Sequence, residues 1–406
     1  MRLLFARRDE SKCMRCGACD EIVACSSRRV GYADECIGCG ACQITCPCEA
    51  INMRERAAER YVQIRVNGEL FSVPERITVK MALEILGSET SRIPSEGKIF
   101  APCEVGGCYS CAVDVDGEIR PCCVTGVKDG MSIRTELPED HIPLRRLHGW
   151  MGHRVGGVGT PWHLKNPFRY VEVATFACGC NLRCPQCQNW GTAYNGRALA
   201  LTPKEAAMLM TDARMRYGVD RMAISGGEST LNRPWLVQYI KELRRLNPSP
   251  DARIHVDTNG TLLKEDYIDE LVDAGMTDIG PDLKGLRLET FMRITGVHDK
   301  EIAEEYSKTS WSAVKYIVDN YKEKVFIGVG VPYSRDLISL EEIADIGEEL
   351  RRIDDELQVC ILDYRPEFRS RIRRPEYSEM LEVHGLLKGI GLKTVICQTA
   401  YGYIGP

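Results

Sequence analysis

The stretch ACGCNLRCPQCQNW, Ala177–Trp190, decides the fold of the second half of the chain, because three of its cysteines are spaced C-x3-C-x2-C. These are Cys180, Cys184 and Cys187. Three thiolates can hold three corners of a four-iron cluster, which leaves the fourth iron open to an exchangeable ligand. An open coordination position is where a metal site does chemistry. The motif therefore predicts a reactive [4Fe–4S] cluster, with a zinc or purely structural site as the alternative for the motif taken alone.

A glycine turn further along the chain supports the first of these interpretations. The segment MAISGGEST, residues 222–230, predicts a strand that runs into a turn containing Gly226, Gly227 and Glu228. The glycines permit close approach of the backbone, and a carboxylate can accept hydrogen bonds from an ammonium group. Together the two motifs resemble the radical S-adenosylmethionine (SAM) superfamily. The resemblance implies that SAM chelates the open iron, that this turn holds its amino group, and that reduction of the cluster releases a 5′-deoxyadenosyl radical.

The remainder of the chain predicts an α/β fold. Short apolar strands such as RIHVDTNGT and KVFIGVGVP alternate with amphipathic helices such as RPWLVQYIKELRRL, and this alternation is typical of βα units with a parallel sheet. For residues 169–406 the resemblance implies a partial (β/α)6, TIM-like barrel with its site at the carboxyl ends of the strands.

Two further segments, DTNG and DLKG, resemble the branch of glycyl-radical-enzyme activases, which includes the pyruvate formate-lyase-activating enzymes. The resemblance implies that four residues bind the cofactor at the barrel mouth: Asp257, Asn259, Asp282 and Lys284. Ordinary turn chemistry is the alternative for Thr-Asn-Gly, and a simple ion pair with Asp282 is the alternative for Lys284. Gln186 departs from the superfamily, which usually has an aromatic residue before the last cysteine.

Residues 1–56 carry two tightly spaced cysteine runs. They predict a ferredoxin-like module with two cubane [4Fe–4S] clusters, because C-x2-C-x2-C-x3-C-P is the bacterial ferredoxin pattern. In such modules the last cysteine of each run binds the other cluster, so Cys25 completes the second set and Cys46 the first. A pair of zinc sites is the alternative. The predicted ligands are Cys13, Cys16, Cys19 and Cys46 for one cluster and Cys36, Cys39, Cys42 and Cys25 for the other.

Residues 57–137 predict a [2Fe–2S] module. The segment YVQIRVNGELFSVPE is typical of a β-hairpin with an Asn-Gly turn, and Cys103, Cys108 and Cys111 have the plant-type C-x4-C-x2-C spacing. The module resembles the β-grasp domain of hydrogenases, formate dehydrogenases and NADH dehydrogenase large subunits. In that family the fourth cysteine lies seven positions before a Gly-Met pair, which implies Cys123 as the ligand and not Cys122.

Residues 138–168 are rich in glycine and predict a mobile connector. Two histidines and two tryptophans between Gly149 and Pro167 leave the alternative that this segment lines the site. Five cysteines lie outside the predicted ligand sets and are interpreted as spare or as small buried side chains, with hydrogen-atom donation as an alternative for the last two: Cys48, Cys122, Cys178, Cys360 and Cys397.

Composition limits the class of protein. The net charge of the 406 residues is −5, so no basic excess indicates binding to nucleic acid, and no run is apolar enough for a signal peptide or a membrane span. Twenty cysteines in tight groups favour metal thiolates in a reducing compartment over disulfides. We therefore expect an oxygen-sensitive cytoplasmic protein.

These observations predict a radical SAM oxidoreductase or activase with three [4Fe–4S] clusters, one [2Fe–2S] cluster and SAM as cofactors. The substrate is a glycyl-radical enzyme, another protein or a small molecule, and an external low-potential electron donor is a further expected partner. The auxiliary clusters carry electrons either towards the SAM site or away from it, as in a radical dehydrogenase. A non-catalytic electron-transfer protein is the alternative from another class.

Overall fold

A computed structural model of the chain describes residues 1–25, 30, 35–166 and 168–406. One compact unit contains Met1–His148, Ala177–Asn181 and Asn189–Thr202, and a second contains Gly149–Phe176, Leu182–Gln188 and Pro203–Pro406. The sequence predicts four segments, which end at residues 56, 137, 168 and 406. The two N-terminal modules both lie in the first unit, and most of the predicted connector lies in the second, while the four boundaries stay predictions. The C-x3-C-x2-C motif contributes Cys180 to the first unit and Cys184 and Cys187 to the second.

The strands, in chain order, are β1 (Arg2–Arg8), β2 (Ile51–Ala57), β3 (Tyr61–Val66), β4 (Glu69–Pro74), β5 (Thr90–Ser91), β6 (Ile99–Phe100), β7 (Ala112–Val115), β8 (Glu118–Pro121), β9 (Ser132–Arg134), β10 (Arg145–His153), β11 (Glu172–Ala177), β12 (Leu199–Leu201), β13 (Arg221–Gly226), β14 (Arg253–Thr258), β15 (Asp278–Pro281), β16 (Phe326–Tyr333), β17 (Gln358–Asp363), β18 (Thr394–Thr399) and β19 (Gly402–Ile404).

The α-helices are α1 (Ala18–Glu21), α2 (Ala41–Thr45), α3 (Val79–Ile85), α4 (Trp190–Ala193), α5 (Pro203–Tyr217), α6 (Arg233–Leu246), α7 (Glu265–Ala274), α8 (Leu288–Thr295), α9 (Lys300–Tyr321), α10 (Leu340–Ile353) and α11 (Tyr377–Ile390). Single 3₁₀ turns occur at Trp162–Leu164 and Ser229–Leu231. Among the described residues, none of the helices combines the length and the apolar character that a membrane span needs.

In the first unit, β1 pairs antiparallel with β2 along its whole length, from Arg2 opposite Ala57 to Arg8 opposite Ile51. The short helices α1 and α2 each begin after a glycine in the left-handed region, Gly17 with φ 78° and Gly40 with φ 75°. Glycine adopts this conformation without steric cost, so the chain can turn sharply within each cysteine run. The ladder and the two turns hold both cysteine runs in one small module.

The [2Fe–2S] segment forms a five-stranded sheet in the order β4-β3-β9-β7-β8. The predicted hairpin is confirmed: β3 and β4 pair antiparallel around Asn67 and Gly68, which both have positive φ. Helix α3 is capped by the Thr78 hydroxyl, which accepts a hydrogen bond from the Met81 amide at 3.0 Å. Fully buried apolar side chains of the sheet and of α3, such as Ile64 and Leu83, form the core beside the cysteines.

In the second unit, the strands follow one another in the sheet in the order β11-β13-β14-β15-β16-β17-β18-β19. From β13 to β18 each strand is parallel to the next, and helices connect successive strands. The predicted parallel α/β arrangement is therefore confirmed. The carboxyl ends of parallel strands meet at one edge, so the segments after β13, β14, β15 and β17 lie where a site can form.

Candidate functional site

Cys13, Cys16 and Cys19 line one cavity of about 270 Å³, and Cys46 from the second run lines the same cavity. This is the crossed arrangement that the ferredoxin pattern predicts. The Cys46 sulfur accepts a hydrogen bond from the Ala50 amide at 3.3 Å, the kind of contact that stabilises cluster thiolates.

Cys48, which the sequence treats as spare, also borders this cavity, and its sulfur lies 3.6 Å from that of Cys46. Arg8 lines the cavity as well and donates to the Cys19 sulfur at 3.3 Å. Burial raises the pKa of the Cys19 thiol to about 11.

Cys25 lies with the other cysteine run. Burial raises the pKa of the Cys39 thiol to about 11, and the neighbouring sulfurs of Cys25 and Cys36 contribute to that rise. Burial also raises the pKa of Cys42, with Cys39, Cys36 and Cys25 adding to the effect. The Cys36 sulfur accepts a hydrogen bond from the Ala6 amide at 3.3 Å. Residues 26–29 and 31–34, between the two runs, lie outside the described residues.

The four predicted [2Fe–2S] ligands are buried and meet in the first unit. The Cys108 thiol donates to the Cys103 sulfur at 3.2 Å. Hydrogen bonds from Cys108 and Cys123 hold the pKa of Cys103 well below its usual value, and hydrogen bonds from Cys122 and Cys123 do the same for Cys111. Cys123 thus contacts both Cys103 and Cys111, whereas the sulfur contact of Cys122 is with Cys111. A set of buried, converging sulfurs is the donor chemistry that a [2Fe–2S] cluster requires.

The loop after β11 places Cys184 in a partly buried position of the second unit. Burial raises the pKa of this thiol, and the Lys284 ammonium opposes that rise. Gln186 is also buried, and its amide donates to the Ile294 carbonyl at 2.7 Å. Gln186 therefore anchors the loop, which gives a physical reason for a polar residue where the superfamily has an aromatic one.

Glu228 is fully buried, and its carboxylate accepts hydrogen bonds from four protein donors. One oxygen accepts from the Thr230 amide at 3.0 Å and from the hydroxyls of Thr230 and Thr258, each at 2.6 Å. The other accepts from the Asn259 amide at 2.7 Å. Because these donors occupy the lone-pair sites of a carboxylate, Glu228 ties the end of β13 to the end of β14. The resemblance implies that this turn holds the SAM amino group with its backbone and carboxylate, and that role stays a prediction.

Lys284, a predicted cofactor-binding residue, has two partners. Its ammonium lies 3.2 Å from the Asp282 carboxylate and donates to the Tyr364 hydroxyl at 2.9 Å. Burial disfavours the Lys284 cation, but Asp282 and Tyr364 outweigh this and hold its pKa well above the usual value. Burial raises the pKa of Asp282, and the nearby Asp257 adds to that rise. Tyr364, which follows β17, is a site residue that the sequence does not single out.

Asn259, in contrast, holds its own turn. Its side-chain oxygen accepts from the Thr261 amide at 3.1 Å and from the Thr261 hydroxyl at 2.7 Å. This is the turn chemistry that the sequence offers as the alternative.

Glu172 and His255 form a buried polar network that the sequence does not predict. The Glu172 carboxylate accepts from the Gly157 amide at 2.9 Å and lies 3.0 Å from the His153 ring and 3.3 Å from the His255 ring. The other nitrogen of His255 lies 3.0 Å from Asp257. Burial disfavours the His255 cation, but Asp257 and Glu172 outweigh this and raise the pKa of His255 to about 9. The network therefore holds a charged His255 ring between the carboxylates of Glu172 and Asp257.

The glycine-rich segment after β10 packs against the sheet and is not a free connector. The Gln358 amide donates to the carbonyls of Val158 and Thr160 at 3.1 and 3.0 Å, and its oxygen accepts from the Trp162 amide at 2.8 Å. A Cβ atom at Gly159 would lie 2.5 Å from the Ile279 backbone, so only glycine fits this approach. The structure therefore supports the alternative that this segment lines the interior.

Four of the five remaining cysteines are buried, as predicted: Cys122, Cys178, Cys360 and Cys397. Cys360 lies beside the Val158 carbonyl, and burial raises the pKa of its thiol to about 11. Across the described parts of the chain, no set of three or more histidine, cysteine and carboxylate side chains is arranged to hold a single metal ion.

Two family models match the chain. Residues 175–345 match the radical SAM superfamily, and residues 59–138 match the 2Fe-2S iron-sulfur cluster binding domain. The first match contains the C-x3-C-x2-C motif, the glycine turn and the Asp282–Lys284 segment. The second contains the four cysteines that meet in the first unit.

Curated relatives of the chain are described as probable GTP 3′,8-cyclases. The protein of Methanococcus aeolicus is 31% identical over 142 residues, which are 35% of this chain and 46% of the relative. The protein of Saccharolobus solfataricus is 23% identical over 225 residues, which are 55% of this chain and 66% of the relative. The chain thus spans about half to two thirds of these relatives. Their description as probable cyclases differs from the activase branch that the sequence predicts.

Solved structures give weaker similarity. Streptococcus suis SuiB bound to S-adenosylmethionine aligns with a TM-score of 0.42 at 14% identity, over 54% of this chain and 48% of that one. Native anSMEcpe with bound AdoMet aligns with a TM-score of 0.36 at 14% identity, over 52% of this chain and 55% of that one.

Proposed function

We propose that the protein is a radical SAM enzyme with its own electron relay, because residues 175–345 match the radical SAM superfamily and residues 59–138 match the 2Fe-2S iron-sulfur cluster binding domain. The observation that carries the proposal is the family match over a segment that contains both the C-x3-C-x2-C motif and the glycine turn. A cluster bound to SAM supplies a one-electron cleavage that yields methionine and a 5′-deoxyadenosyl radical, which abstracts hydrogen from the substrate.

The residues of the second unit take distinct roles in this proposal. Cys184 and Cys187, with Cys180, hold the reactive cluster. Gly226, with φ 112°, and Gly227 present backbone to the SAM amino group without a side chain in the way. Because the Glu228 carboxylate is already saturated by protein donors, it acts by holding this turn in place.

The charged residues that follow β14 and β15 face the bound molecules in this proposal. Lys284 is charged and buried beside Asp282, so it can contact an anionic group of SAM or of the substrate. Asp257 lies 3.0 Å from His255 and near Asp282, so its carboxylate can accept a hydrogen bond from the substrate. Asn259 contributes through its backbone, which keeps Glu228 in place.

The fifteen cysteines of the four ligand sets hold three [4Fe–4S] clusters and one [2Fe–2S] cluster in this proposal. Supporting observations are the cavity shared by Cys13 and Cys46, the position of Cys25 beside Cys39, and the converging sulfurs around Cys123. An external low-potential donor delivers electrons, and covalent attachment of the relay makes delivery to the SAM site intramolecular.

The second part of the proposal concerns the class of substrate. Hydrogen abstraction from a glycyl-radical enzyme or another protein agrees with the activase-like DTNG and DLKG segments. A small molecule is the second candidate, and GTP is the specific one to test, because the curated relatives are described as GTP 3′,8-cyclases.

The first experiment uses anaerobically reconstituted protein with dithionite and SAM, and measures 5′-deoxyadenosine. The parent protein should form it, and Cys184→Ala should not, because a ligand of the reactive cluster is lost. Cys397→Ala is the matched control, since Cys397 is buried in the same unit and lies outside every ligand set. Parent protein that binds iron but leaves SAM intact would favour an electron-transfer protein instead.

The same reaction with added GTP tests the second candidate. A product that depends on both GTP and SAM would assign the cyclase substrate, and unchanged GTP would exclude it.

A further inference from the structure

A glycine of the [2Fe–2S] loop packs directly against the segment that leads into the C-x3-C-x2-C motif. Gly107 precedes the ligand Cys108, and Gly179 precedes the ligand Cys180. A Cβ atom at Gly107 would lie 2.6 Å from the Gly179 amide nitrogen and 2.7 Å from the carbonyl carbon of Cys178. A Cβ atom at Gly179 would lie 2.9 Å from the Cys108 amide nitrogen. Both loops, which belong to the same compact unit, therefore touch backbone to backbone.

The start of β10 connects the same two loops by hydrogen bonds. The Arg146 amide donates to the Gly107 carbonyl at 3.2 Å, and the Cys178 amide donates to the Arg146 carbonyl at 3.0 Å. The Arg145 guanidinium is fully buried and donates to the Cys178 carbonyl at 3.1 Å. Burial raises the pKa of the Cys108 thiol, and the positive charge of Arg145 opposes that rise. Two peptide hydrogen bonds and one buried cation therefore span the distance from one cluster loop to the other.

We propose that this junction, formed by Gly107, Arg145, Arg146 and Cys178–Gly179, is where electrons pass between the [2Fe–2S] domain and the radical SAM motif. The inference rests on the proposed function and adds to it the last step of the relay. Gly107 and Gly179 are positioning residues, because the absence of their side chains brings the two ligand-bearing loops together. The [2Fe–2S] centre then passes its electron to the loop that carries Cys180, and the two cubane clusters supply the [2Fe–2S] centre.

A second contact places a cubane set next to the [2Fe–2S] set. Ile37 lies between the ligands Cys36 and Cys39, and Gly126 follows the ligand Cys123. A Cβ atom at Gly126 would lie 3.0 Å from the Ile37 side chain, so the two ligand segments are in close contact. The second cubane set therefore lies beside the [2Fe–2S] set, which in turn lies beside the loop that carries Cys180.

The electron balance of the step is simple. One electron leaves the reduced [2Fe–2S] centre, which is oxidised, and enters the cluster of the radical SAM motif, which is reduced. That electron is consumed when the carbon–sulfur bond of SAM breaks to methionine and the 5′-deoxyadenosyl radical. A low-potential one-electron donor reduces the cubane clusters again.

The test is Gly107→Ala in the reconstituted full chain, with Gly191→Ala as the matched control. No positive φ is found at Gly107, so alanine is crowded there but not strained, and Gly191 has open space around its Cα. We expect Gly107→Ala to keep its iron and its [2Fe–2S] electron paramagnetic resonance (EPR) signal. It should lose the part of the fast spin relaxation that the reduced cluster of the radical SAM motif causes, and it should re-oxidise more slowly when SAM is added. Gly191→Ala should match the parent protein.

A second measurement keeps the proposal testable if Gly107→Ala loses its iron. Cys184→Ala removes a ligand of the reactive cluster and should slow the spin relaxation of the [2Fe–2S] signal, whereas Cys397→Ala should not. Relaxation that is unchanged in Cys184→Ala, or in an iron-replete Gly107→Ala, would overturn the junction. Failure of SAM cleavage with dithionite would instead count against the proposed function, because the EPR measurements need no SAM cleavage.

Discussion

The strongest quantitative prediction concerns His255, which is fully buried between the carboxylates of Glu172 and Asp257. Its pKa is raised from 6.5 to about 9. Since a tenfold change in acid dissociation is worth about 1.4 kcal/mol, the charged ring contributes about 3 kcal/mol to the free energy of unfolding of the second unit. Because the pKa is higher in the folded protein, the charged His255 ring stabilises the fold fully below pH 6.5. This contribution is lost as the pH rises through about 9.

The perturbation is His255→Gln, which keeps hydrogen-bonding ability but removes the titration. Parent and variant are compared at each pH, because Lys165, Arg221 and Cys360 also face this network. Their contributions to the pH dependence of the melting temperature then cancel in the difference. For a unit of this size, 1 kcal/mol shifts the melting temperature by about 2–4 °C, so the pH-dependent part of the difference should be roughly 6–12 °C.

The assay is anaerobic thermal unfolding between pH 6 and pH 9.5. We expect the variant to melt well below the parent protein at pH 6, and the gap to shrink towards pH 9.5. His298→Gln, at an exposed position of the same unit, should follow the parent protein at every pH. A gap that stays constant or widens with pH would refute the reasoning, because His255 would then be neutral in the folded protein.

Three further predictions follow from the sites. Glu228→Gln should reduce both the free energy of unfolding and the binding free energy for SAM by about 1.5–3 kcal/mol each, because the amide NH2 group would face a protein donor in place of an accepting oxygen. Weaker SAM binding at unchanged stability would mean that Glu228 contacts SAM directly. Anaerobic protein should hold about 14 irons per chain. Cys123→Ser should disturb the [2Fe–2S] EPR signal, whereas Cys122→Ser should leave it intact. The reverse outcome would mean that Cys122, and not Cys123, is the fourth ligand. Gly157→Ala should destabilise the second unit, because its Cβ atom would collide with the Asp257 carboxylate, whereas Gly385→Ala, in open space, should not; equal stability of the two variants would mean a mobile segment.

Local patterns in the sequence predict the chemistry of the sites. A cluster is held by thiolates a few residues apart, so the spacing of Cys36, Cys39 and Cys42 or of Cys103, Cys108 and Cys111 predicts the kind of site. The alternation of strands and helices likewise predicts the parallel α/β sheet of the second unit, because hydrophobic periodicity is a local property.

Contacts between residues far apart in the chain depend on the tertiary structure. Glu228 looks like a free acceptor in the sequence, yet Thr258 and Asn259, which come from the next strand, saturate it. Composition predicts a mobile connector, yet Gln358, some two hundred residues away, holds its backbone. The pKa of His255 is raised by Asp257, which is close in the chain, and also by Glu172, which is distant in the chain and meets it only in the folded protein.

The junction at Gly107 likewise combines a feature that the sequence predicts with a contact that depends on the fold. The cysteine spacings in the sequence predict two loops that hold different clusters. Contact between these loops depends on the fold, because the absence of a side chain at Gly107 and at Gly179 matters only once two distant backbones come within van der Waals distance of each other.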